Sequence, residues 1–186
     1  MTGTLVLVFG PSGAGKDSVI EAARAMLPDD APVVFARRAI TRPEGSGGEA
    51  HEAVSWAMFA ARRAAGAFLL SWEANGNGYG IPRAVTGDLA AGRTVVASVS
   101  RTVLGEAARL GWPVLAVRVT APAAVLAGRL AARGRESEGE ISHRLARAGL
   151  AEPDLGLPVM EIVNGGALAD AARRFADLLV DQPPKP

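Results

Sequence analysis

No cysteine occurs in the 186-residue chain, which excludes disulfide scaffolds, thiolate zinc sites and cysteine nucleophiles together and fits a reducing compartment. An excess of charge of one sign is missing too. With 20 Lys+Arg against 19 Asp+Glu, the net charge of +1 supplies no broad field for nucleic acid, so the basic groups must act locally. Long apolar runs are absent as well: the first, residues 4–9, has no basic leader and stops at Gly10-Pro11, too short for a signal peptide or a membrane span. The expected setting is the cytoplasm, with neither membrane nor nucleic acid as partner. What the chain does have is 49% hydrophobic content, enough to bury a sizeable core in one domain over 1–180, with 181–186 as a frayed polar tail.

Apolar β-rich runs near 4–9, 32–38, 94–99, 113–119 and 159–163 alternate with helical patterns. That rhythm predicts an α/β fold with a parallel sheet flanked by helices. Pro82 and Pro122 mark helix first turns, and Gly92 and Gly134 mark left-handed caps. The last helix places Leu168, Ala171, Phe175, Leu178 and Leu179 on one face, as core packing requires. Two segments, 42–51 and 74–80, read as ordered loops of the kind that line sites.

The most specific signal follows the first strand: Gly10-Pro11-Ser12-Gly13-Ala14-Gly15-Lys16-Asp17-Ser18, leading into a helical run through Val19, Ile20, Ala23 and Met26. Strand, glycine loop and helix arrive in the order a P-loop needs. The glycines let successive N–H groups turn inward around phosphate oxygens, the helix N-terminus adds its positive end, and Lys16 supplies a charge for the β- and γ-phosphates of ATP. One position departs from the pattern, because Asp17 stands where Ser or Thr would ligate Mg²⁺. Asp17 is either itself the metal ligand, with Ser18 as substitute, or a charge that favours the helix end. On the acceptor side, Arg38 and Arg42 flank a strand end four residues apart, so at least one is expected to reach the sheet edge and hold a phosphate in its planar fork. Tyr79, the only tyrosine, either donates to the acceptor phosphate or packs its glycine-rich turn.

Beyond the P-loop, Arg38-Ala39-Ile40-Thr41-Arg42-Pro43, Gly48-Glu49-Ala50-His51, 68–73 with Tyr79-Gly80-Ile81, and Arg129 through Arg147 fall in the order seen in guanylate kinases. The chain resembles that branch of P-loop NTPase-type kinases over nearly its whole length. The resemblance implies an acceptor-binding insertion at about 33–82 and a mobile arginine-rich lid at about 129–147, in which Arg133 and Arg144 are the favoured catalytic residues beside Lys16. Where a guanine would be read, the chain departs. Arg38 replaces a serine, Leu70 a glutamate and Ile81 a threonine, and no acid follows the strand ending Ser98-Val99-Ser100-Arg101. Unpaired base donors would cost about 1–3 kcal/mol each, so GMP should be a poor acceptor, while Arg101 suits a second phosphate.

A narrower resemblance follows from Lys16-Asp17-Ser18, Ile40-Thr41-Arg42-Pro43, Ser71-Trp72 with Ala74-Asn75-Gly76, and Arg133-Gly134-Arg135-Glu136. These are similar to the ribose 1,5-bisphosphate phosphokinases of phosphonate breakdown, which use ATP to form 5-phosphoribosyl 1-diphosphate. The resemblance implies ATP and Mg²⁺ as cofactors and a phosphorylated sugar as acceptor, held by Arg38, Arg42, Tyr79 and Arg101. A nucleoside-monophosphate kinase is the runner-up. A silent binding module is the reading outside enzymes, and the intact Lys16 argues against it.

Overall fold

The computed structural model describes residues 2–43, 50–133, 139 and 156–180. At its centre lies strand β1, Leu5–Phe9, all five of whose residues are buried. Leu5, Leu7 and Phe9 join one apolar cluster, and Val6 and Val8 join another on the opposite face. A strand covered on both faces needs no polar alternation, which is why this one reads as an unbroken apolar run. Each large side chain so enclosed contributes about 1.5–3 kcal/mol relative to exposure.

Around it the other strands of the first sheet are β2 (Val33–Phe35), β7 (Thr94–Ser98), β8 (Val114–Thr120) and β9 (Val159–Val163), in the order β2-β7-β1-β8-β9. Every pairing is parallel, as the alternating pattern predicts. Helix α1, Lys16–Arg24, and the last helix, α6, Leu168–Val180, cover the face of Val6 and Val8. Of the predicted α6 stripe, Ala171, Phe175 and Leu179 are buried, and Leu168 at the helix start is exposed.

The second sheet is built from β3 (Ala39–Ile40), β4 (Glu52–Ala53), β5 (Phe68–Ala74) and β6 (Asn77–Pro82), in the order β4-β3-β6-β5. Its strands were not among the expected five. The predicted strand 32–38 divides between the sheets: the Ala36 N–H still donates to Val96, but the Arg38 carbonyl accepts from Glu52. The chain changes sheets just before Arg38. Segment 74–80, expected as a loop, is a hairpin whose two-residue turn, Asn75-Gly76, has φ of 49° and 72°. Two successive positive φ values match the right-handed twist of the paired strands, and Asn-Gly adopts them with little strain. Pro82 is corrected by the same element, since it ends β6 and helix α3, Val85–Ala90, begins three residues later. Gly92 is left-handed at φ 81°, as a cap requires, and Gly134 lies outside the described residues.

The remaining helical segments are α2 (Trp56–Ala64), a 3-10 turn at Arg101–Val103, α4 (Leu104–Ala107) and α5 (Ala123–Arg133), which starts directly after Pro122. Among the described residues no helix is long and apolar enough to cross a membrane.

Candidate active site

The carboxyl ends of β1, β2, β7, β8 and β9 all open on one edge of the parallel sheet, where open α/β sheets bind ligands. From β1 the chain enters the glycine loop. Gly10 has φ 144°, and a Cβ there would lie 2.0 Å from the Val119 carbonyl oxygen; Gly15, at φ 80°, caps α1 and would meet the Asn164 amide at 2.6 Å. The backbone therefore turns tightly against β8 and β9, and its N–H groups and the α1 N-terminus make a cradle suited to phosphate.

Lys16 reaches back over that loop, its Nζ donating to the carbonyls of Gly10 at 2.9 Å and Pro11 at 3.1 Å. Ala14 and Gly13 are buried, whereas Ser18 is exposed in the first turn of α1. Two side chains brace the loop from distant elements. Asn164, 2% exposed, donates to the Ala14 carbonyl at 2.8 Å, and Arg129 from α5 approaches the carbonyls of Gly13 and Ala14 at 3.5 Å. The sequence singles out Arg129 only as one of several lid arginines and does not single out Asn164 at all. Its only local mark is its place at the end of an apolar strand.

Asp17 turns one carboxylate oxygen inward. Its Oδ1 is buried without a hydrogen bond among the described residues and faces Arg38 Nη2 at 3.9 Å, while the side chain as a whole is 41% exposed. A hard oxygen donor beside Lys16 and the helix N-terminus fits the chemistry of a magnesium site. Arg38, one of the two arginines of which at least one is expected at the sheet edge, is buried, and its Nη1 donates to the Ser98 carbonyl at 2.8 Å. Its guanidinium lies 5.4 Å from the Tyr79 ring centroid and 5.9 Å from that of Trp72, and those two rings stack 5.3 Å apart with planes 4° from parallel.

Arg42 is half-buried, and its Nε is enclosed without a partner among the described residues. Its carbonyl accepts from His51 Nε2 at 3.0 Å, so that ring nitrogen carries a proton. Nearby, the Gly78 N–H donates to Thr41 Oγ1 at 2.8 Å, which fixes the strand after Arg38 against the hairpin. Arg101 is half-buried at the start of the 3-10 turn after β7. Leu70 and Ile81 face each other across β5 and β6, 1% and 0% exposed, so both are core rather than pocket surface. Phe68 and Trp72 are core as well, but Trp56 is 46% exposed. Arg133 closes α5; Arg135, Arg144 and Arg147 lie outside the described residues, as do Gly48 and Glu49. The structure thus brings the glycine loop, Lys16, Asp17, Arg38 and Tyr79 into one contiguous neighbourhood.

No protein-family model matches the chain. Among solved structures, guanylate kinase from Anaplasma phagocytophilum superposes with a TM-score of 0.64 at 16% identity, covering 96% of this chain and 85% of that one, a likeness of fold. Curated relatives are much nearer in sequence. The bifunctional ribose 1,5-bisphosphokinase-thymidine phosphorylase of Cupriavidus necator is 50% identical over 179 residues, and the chain spans 29% of its length. Ribose 1,5-bisphosphate phosphokinase PhnN of Methylobacterium radiotolerans is 48% identical, covering 94% of this chain and 96% of that protein. The PhnN of Rhodopseudomonas palustris is 46% identical over 184 residues, covering 99% and 92%. With that identity running nearly end to end through both proteins, the chain belongs to the ribose 1,5-bisphosphate phosphokinase family.

Proposed function

We propose that the chain transfers the terminal phosphoryl group of ATP to the 1-phosphate of ribose 1,5-bisphosphate, giving 5-phosphoribosyl 1-diphosphate and ADP in the cytoplasm. The observation that carries this reading is the near full-length identity to proteins named for that activity. A phosphate oxygen of the acceptor attacks the γ-phosphorus while the bond to the bridging oxygen of ADP breaks. That oxygen is already charged at neutral pH, so no general base is needed, and positioning with charge neutralisation suffices.

The roles follow from the site. Residues 10–18 cradle the nucleotide phosphates, and Lys16, released from the loop carbonyls it now contacts, follows the charge that moves with the phosphoryl group. Asp17 would hold Mg²⁺, which would supply positive charge to neutralise the nucleotide phosphates. Arg42, whose enclosed Nε has no partner among the described residues, Arg101 and Tyr79 hold the acceptor phosphates. Arg133 and Arg144 belong to the lid that excludes water. Since Leu70 and Ile81 are sealed in the core, neither offers a partner to a purine edge.

The test is a coupled ADP-release assay with ribose 1,5-bisphosphate, with GMP and without acceptor, and phosphorus NMR of the product. A diphosphate pair of signals should appear only with ribose 1,5-bisphosphate, ATP and Mg²⁺ together. GDP formed from GMP at equal or higher kcat/KM would overturn the assignment in favour of a nucleoside-monophosphate kinase, the activity its fold neighbour carries by name.

A further inference from the structure

Arg38 stands where three parts of the fold meet. Ser98 ends β7 of the parallel sheet, Asp17 opens the helix behind the glycine loop, and Trp72 with Tyr79 belongs to the β5–β6 hairpin. The guanidinium touches all three: a hydrogen bond to the Ser98 carbonyl, a carboxylate at 3.9 Å and two aromatic faces within 6 Å. Only 8% of the residue is exposed. Carbonyl, carboxylate and ring faces already satisfy the charge of a guanidinium, whereas bidentate capture of a phosphate needs an open fork. Asp17 Oδ1, in turn, is buried and makes no hydrogen bond among the described residues, so the cation opposite is what favours its inward position.

We propose that Arg38 is a positioning residue rather than an acceptor ligand: it acts through Asp17, holding that carboxylate in register with Lys16 and tying the glycine loop to the hairpin. The inference rests on the reading of the glycine loop as the ATP site. It assigns the two arginines of the Arg38-to-Arg42 stretch opposite duties. Arg42 binds the acceptor, and Arg38 shapes the nucleotide side from behind.

The full-length protein is compared with Arg38→Gln, Asp17→Asn and the double variant, titrating ATP by calorimetry at several Mg²⁺ concentrations and measuring acceptor KM with ribose 1,5-bisphosphate. Each single change should weaken ATP binding about fivefold at limiting Mg²⁺, and the double variant should be no weaker than the worse single, because both remove one shared contact. Acceptor KM should stay within about twofold of the wild type, since a residue acting on the nucleotide side is not part of acceptor binding. Additive losses would overturn the proposal, and so would an acceptor KM raised about tenfold with the ATP titration unchanged, the signature of lost acceptor binding alone. If Arg38→Gln does not fold, Arg38→Lys carries the same comparison, with the same ranking expected and the reverse ranking fatal. Wild-type protein that binds no ATP at any Mg²⁺ concentration would overturn the ATP site and this inference together; the other failures overturn the inference alone.

Discussion

Asn164 donates its side-chain amide to the carbonyl of Ala14 at 2.8 Å, joining the end of β9 to the glycine loop across 150 residues of chain. The bond is buried, so removing the donor leaves the carbonyl only the long 3.5 Å contact from Arg129 and costs about 1–3 kcal/mol. Asn164→Ala should lower stability by that amount in urea denaturation and raise ATP KM more than acceptor KM. Asn164→Asp should be worse, because it sets a carboxylate oxygen against the same carbonyl.

Lys16→Ala should reduce kcat by about a hundredfold to a thousandfold, the usual range for losing one donor to developing charge. The circular dichroism spectrum should be unchanged, because Lys16 contacts loop carbonyls and is not part of either apolar cluster. Turnover within tenfold of wild type would remove the lysine from the transfer step.

Arg42→Lys should behave as a damaging change despite keeping the charge, since an ammonium cannot form two parallel bonds to a phosphate. Steady-state kinetics should show acceptor KM rising more than ATP KM. The opposite ranking would move Arg42 to the nucleotide side.

Glu52 on β4 and Arg62 on α2 pair at 2.8 Å, and that hydrogen bond holds the Glu52 carboxyl below its ordinary value of 4.5 while raising Arg62. A carboxyl depressed by folding contributes stability that is present above its unfolded pKa and is lost as pH falls through the folded value. Both side chains are more than a third exposed, so the contribution is about 0.2–1 kcal/mol. The stability gap between wild type and Glu52→Gln should be flat above about pH 6 and should close below about pH 4.

The parallel sheet was legible because burial on both faces leaves a continuous apolar mark, as at 4–9, and the glycine loop because its spacing is local. The hairpin was not. Gly76, Gly78 and Gly80 interrupt the two-residue alternation that announces a strand, yet Gly78 and Gly80 are where the rings of Phe59 and Phe68 lie closest, so that an added Cβ would stand 2.7 Å and 2.4 Å away. Arg38 shows the same limit from the other side. Its residue type favours an exposed fork, and only contacts from residues 21 to 60 positions distant reveal a buried one. Leu70 and Ile81 were correctly read as apolar, but their enclosure depends on how the hairpin seats on the first sheet.

The position of β1 has a kinetic side. Its two neighbours in the sheet are β7 and β8, about 90 and 110 positions further along, and no local contact substitutes for either. Parallel pairings of such separation close late, since the loop entropy must be met before the contacts form. At a synthesis rate of about 10 residues per second, Asn164 leaves the ribosome roughly 15 s after Ala14. The loop thus spends that interval without its Asn164 brace, and β1, an apolar strand, lacks its first sheet neighbour for about 9 s of it, until β7 is made. Nascent chains stalled before β8 should therefore be the ones that engage chaperones most strongly, and release past Asn164 should end that dependence.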